Sequence, residues 1–133
     1  MKLESDPQVR LKYPRISLIK ARLEKFITWC EVNKVTVVVA LGNNKEYDMH
    51  EVVPSGMATS ENKLITVGGV DEGGKAWVGN TKVNEGQASR VSVWAPANNV
   101  IVPGPGEGPS SGTSQAAAIV VSGTSISEIV MSA

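Results

Sequence analysis

At 133 residues the chain has the length of a single domain with room for a buried core. Thirteen Lys and Arg balance 13 Asp and Glu, so the net charge is zero and nothing in it points to nucleic acid or an anionic membrane. Cys30 is the only cysteine, which excludes an internal disulfide and a cysteine-based metal site.

The opening Met1-Lys2-Leu3-Glu4-Ser5-Asp6-Pro7 lacks the apolar run of a secretory signal, and no stretch reaches the length of a membrane span. The compartment stays open. Residues 1–16 mix charge with Pro7 and Pro14 and read as a lead-in segment; residues 17–133 read as the folded part. A helix is predicted from Ser17. Ile19, Leu23, Phe26, Ile27 and Cys30 recur at helical spacing, and Lys20, Arg22, Glu24, Lys25 and Thr28 fill the other face. Asn33 is the expected stop. Cys30 falls on the apolar face as a small core residue.

Val35-Thr36-Val37-Val38-Val39-Ala40-Leu41 is a β-branched run without alternation. That pattern belongs to a strand covered on both faces, as in a parallel sheet. It ends in Gly42-Asn43-Asn44, and sites in open parallel sheets form beyond the carboxyl ends of strands. Asn43 is placed to donate to a ligand from its side-chain NH2, or else to serve as a turn residue. Residues 45–62 are polar and loop-like and hold His50, the only histidine. Leu64-Ile65-Thr66-Val67-Gly68-Gly69-Val70 is a second buried strand, expected parallel to the first, with the helix on one face. A turn at 71–75 and an irregular stretch at 76–90 follow, with Trp77 as a packing residue. Val91-Ser92-Val93-Trp94-Ala95 reads as a short strand closed by Pro96, and Val100-Ile101-Val102 as another.

A glycine-rich loop at 103–108 then leads to Pro109-Ser110-Ser111-Gly112-Thr113-Ser114 and an apolar run from Gln115 to Val121, continued by Ile126, Ile129, Val130 and Met131. The run predicts a helix apolar all round, which belongs in a core. Ser114 stands where the loop meets the helix N-terminus, among free amide N–H groups and the positive end of the dipole. A hydroxyl there can attack a carbonyl while those amides hold the oxyanion. The plainer alternative is that Thr113 or Ser114 caps the helix.

Four stretches, Val37-Val38-Val39-Ala40-Leu41-Gly42-Asn43, Leu64-Ile65-Thr66-Val67-Gly68-Gly69-Val70-Asp71, Val93-Trp94-Ala95-Pro96 and Gly112-Thr113-Ser114-Gln115-Ala116-Ala117, together resemble the C-terminal half of a subtilisin-like serine peptidase domain. The resemblance implies an α/β fold, a partial doubly wound parallel sheet with helices on its faces. It implies a serine endopeptidase of peptide or protein substrates; the residues themselves show no metal cluster, and no cofactor, nucleic acid or membrane partner is expected. Ser114 would be the nucleophile, and Asn43 with the Ser114 amide the oxyanion hole. Gly42, Asn43 and Thr113 would line the substrate site. The family's Asp and His precede its oxyanion asparagine. Neither an Asp-Ser/Thr-Gly nor a His-Gly-Thr stretch occurs here. His50 follows Asn43 and is expected to lie in a loop away from the missing imidazole; Asp48 and Asp71 read as solvated loop residues. The implied chain is therefore inactive alone, with the N-terminal half of the domain as its missing partner. The alternatives are a non-catalytic peptide-binding module and a truncated gene product.

Overall fold

The computed structural model describes the backbone of residues 16–106 and 108–132 and the side chains of residues 17–106 and 108–123. The expected lead-in segment, apart from Ile16, lies outside the described residues. Helix α1 (Ile16–Val32) buries Ile27 and Cys30 and leans Leu23 on the core, so its inward stripe follows the spacing of its apolar residues. Its stop is a Schellman turn. Lys34 adopts a left-handed φ of 58°, and the Val35 amide reaches back to the Cys30 carbonyl at 2.8 Å while the Lys34 amide reaches Glu31.

Three strands, β1 (Val38–Ala40), β2 (Ile65–Val70) and β3 (Val93–Pro96), form a parallel sheet in that order. Val38 lies opposite Ile65, and Val67 is flanked by Ala40 on one side and Val93 on the other. A separate antiparallel pair, β4 (Val100–Val102) and β5 (Gly108–Ser110), leads into helix α2 (Thr113–Ser132). Neighbouring residues on a strand point to opposite faces. Val39, with Leu41 just beyond β1, joins Ile27, Met49, Met57 and Leu64 in one cluster; Val38, Ile65 and Val67 meet Ala116, Ala117 and Val120 of α2 in another. Helix α2 therefore covers one face, and α1 together with residues 45–62 covers the other.

The molecule is thus a small mixed α/β fold, with the two apolar runs paired in parallel as expected. Four expectations need correction. Among the described residues the three strands follow sequence order without reversal, and the expected doubly wound arrangement is not seen there. The first strand starts three residues late, because the Val35 amide is spent on closing α1. Residues 45–62 are less polar in their packing than expected. They make two 3-10 turns, Met49–Glu51 and Ser55–Met57, and bury Met49, Val52, Met57 and Ala58 against the sheet where another connection would use a helix. Finally, α2 is not enclosed. Ala116 is fully buried, but Ile119 and Val121 remain 41% and 46% exposed.

Candidate active site at the start of the second helix

Beyond β1 the chain turns at Gly42, whose φ of 119° few side-chain-bearing residues adopt. A Cβ there would also collide with the Thr81 hydroxyl. The Gly42 carbonyl accepts the Thr81 amide at 2.9 Å, and the Gly42 amide donates to Thr113 Oγ1 at 3.1 Å. Asn43 follows at the surface. Its Oδ1 accepts two hydrogen bonds, from the Thr113 amide and the Thr113 hydroxyl, both at 2.8 Å. Thr113 is wholly buried. Gly112 is held by its amide on the Ala97 carbonyl, and a Cβ on it would stand 3.3 Å from Asn43 Nδ2 and 2.7 Å from Gln115 Oε1. Glycine at 112 thus leaves the space that the Asn43 amide occupies. Gln115 Nε2 donates to Ser110 Oγ at 2.8 Å and ties β5 to the helix start.

Ser114 occupies the second position of α2 and is exposed. Backbone amides there have no carbonyl a turn earlier to bind. Ser114 also lines an open groove of about 410 Å³ between β4 and α2, walled by Val100, Ile101, Val102, Pro103, Ala118 and Ile119. None of the groove's lining residues is titratable. A larger cavity, about 640 Å³, opens at the amino ends of the strands beside Cys30, Val37 and Ile65, and neither Asn43 nor Ser114 lines it. The chemistry therefore sits outside that larger cavity.

Of the residues singled out from sequence, Gly42, Asn43 and Thr113 are joined directly by hydrogen bonds, with Ser114 next in the chain. His50 lies in the turn Met49–Glu51, where its Nδ1 is 3.2 Å from Gln87 Nε2. Asp48 is a structural residue rather than a solvated one: it caps that turn, and its Oδ1 accepts from Asn84 Nδ2 at 3.0 Å. Asp71 Oδ1 accepts the amides of Gly73 and Lys75 and closes its own turn. Among the described residues no group of three His, Cys, Asp or Glu side chains is placed to hold a metal ion, and no helix is long and apolar enough to cross a membrane. Sequence reasoning left Thr113 as a cap or pocket residue and gave no account of its hydrogen bonds. The signal was a Gly-Thr pair directly ahead of the serine, but the bonds join positions 70 and 71 apart.

No family model matches the chain, and no curated protein does. Among solved structures, it is similar to the prenylagaramide maturation protease PagA, with a TM-score of 0.58 and 27% identity over 74% of this chain. The likeness is to a protease. This chain spans about a third of that protein, 34% of its length. The finding corrects the family expected above: the four stretches that resemble a subtilisin-like peptidase matched no family model, and what the comparisons support is the coarser statement of a protease-related α/β chain.

Proposed function

We propose that the chain is the nucleophile-bearing part of a serine-type protease acting on peptide or protein substrates. The observation that carries this reading is the fixed Asn43 amide. Its oxygen is tied to the start of the helix that presents Ser114, and its NH2 has no hydrogen bond among the described residues. In this reading Ser114 Oγ attacks the scissile carbonyl. The carbonyl oxygen becomes an oxyanion, and Asn43 Nδ2 and the Ser114 amide donate to it. The attacking hydroxyl must give up its proton to a base. His50 is engaged with Gln87, and no titratable residue lines the groove beside Ser114, so the base comes from outside the described residues. That absence also favours a second reading, a non-catalytic module that only binds peptides.

Chemical rescue separates the two. Alone, Ser114 should react with a fluorophosphonate no faster than the exposed Ser60, as read by mass spectrometry of the adducts. Free imidazole should then supply the base and accelerate labelling at Ser114 selectively. Ser114→Ala should remove that adduct, and Asn43→Ala should slow its formation about tenfold or more. Equal, unselective labelling with imidazole present would leave the peptide-binding reading. Fast labelling without imidazole would mean that the chain already holds a base.

A further inference from the structure

We infer that Thr113 is a positioning residue that dictates which end of the Asn43 amide faces outward. The inference rests on the reading of Asn43 as an oxyanion donor and names what makes it one. An asparagine amide is nearly symmetric in shape, and rotating it by half a turn exchanges an acceptor for a donor pair. Whether Asn43 offers a ligand NH2 or C=O therefore depends on what its inner end meets. Here the inner end meets two donors. The Thr113 amide has a proton and no lone pair to offer. The Thr113 hydroxyl has already accepted the Gly42 amide at 3.1 Å, which directs its own proton toward Asn43, 2.8 Å away. A rotated amide would press its NH2 against both, with Thr113 itself fully buried. Only Oδ1 fits inward, so Nδ2 points outward. The outer face of the site accordingly selects an acceptor: a carbonyl oxygen, and more strongly the oxyanion formed from it.

The relay from Gly42 through Thr113 to Asn43 also fixes position. It ties the carboxyl end of β1 to the first residue of α2, the two elements that must keep register if the donor and Ser114 are to address one carbonyl. Gly112 completes the arrangement by leaving the amide its space.

The side-chain NH2 signals of Asn43 in 15N-labelled protein test this, without requiring any activity from Ser114. In the wild-type chain the Asn43 NH2 should be as ordered as the backbone. Thr113→Val keeps the size of the side chain and the backbone donor but removes the relay, and the NH2 should become clearly more mobile than in the wild-type chain. Thr113→Ser, which keeps the hydroxyl, should restore the order. A mobile Asn43 NH2 in the wild-type chain overturns the inference before any variant is made. An NH2 as ordered in Thr113→Val as in wild type overturns it as well. Failure of imidazole rescue at Ser114 with an ordered Asn43 would instead count against the proteolytic reading and leave the positioning role standing.

Discussion

Thr66 carries a hydroxyl into the middle of β2, where it is wholly buried and its Oγ1 finds no hydrogen-bond partner among the described residues. An unmet buried hydroxyl costs on the order of 1–3 kcal/mol. Valine has nearly the same shape without that cost. Thr66→Val should therefore raise unfolding stability by about 1 kcal/mol in a urea titration, and a loss of stability would reveal a partner for Oγ1. Gly42 argues the other way. Alanine there would meet both the unfavourable φ of 119° and the Thr81 hydroxyl. Gly42→Ala should cost about 1–3 kcal/mol, visible as a lower urea midpoint at unchanged slope. These two residues also mark what was legible at this scale. A Gly-Asn pair closing a buried strand was readable as a possible donor site. The direction of the Asn43 amide was not, because it depends on a threonine 70 positions away.

At the scale of elements, the parallel pairing of β1 and β2 was readable because both runs are apolar without alternation, as strands covered on two faces must be. The start of β1 was not. Val35 and Thr36 have the composition of a strand, but the turn closing α1 takes the Val35 amide first. β5 escaped for the opposite reason: Gly108-Pro109-Ser110 has turn composition and pairs only because β4 lies alongside. A further clasp holds β2. Asn80 Nδ2 donates to the Gly69 carbonyl at 2.8 Å, and Asn80 Oδ1 accepts the Gly69 amide at 3.0 Å, so one side chain mimics a neighbouring strand. Asn80→Ala would leave the Gly69 amide without its partner, while the Gly69 carbonyl keeps the Trp77 amide at 2.8 Å. It should destabilise the chain by about 2 kcal/mol and speed hydrogen exchange at Gly69 well beyond that at Val67, which is paired within the sheet. Uniform acceleration across β2 would show that Asn80 acts on global stability alone.

At the scale of the whole molecule, apolar side chains stand exposed on four elements, with Trp94 on β3 among them. Phe26 and Trp29 lie on α1, Ile101 and Val102 on β4, and Ile119 and Val121 on α2. Ile101, Val102 and Ile119 line the groove beside Ser114, so two elements contribute to one apolar surface. Exposed apolar surface of this kind marks a place where another surface belongs. The balanced charge, 13 of each sign, supplies no net repulsion to keep copies apart. The chain should therefore self-associate through the groove face, and its mass in multi-angle light scattering should rise above the 14.0 kDa of a monomer as concentration increases. Added salt should not reverse the association, because the driving force is burial of apolar area rather than ion pairing. Ile101→Glu combined with Ile119→Glu places like charges on both walls of the groove and should return the chain to a monomer, with the same far-UV circular dichroism because both side chains project from the surface. Trp29→Glu, on the other helix, should leave association unchanged. If Trp29→Glu alone restores the monomer, the contact runs through α1 and the groove is free. If the wild-type chain stays at 14.0 kDa across the concentration range, the exposed surface is tolerated by an independent monomer and the groove has no such contact.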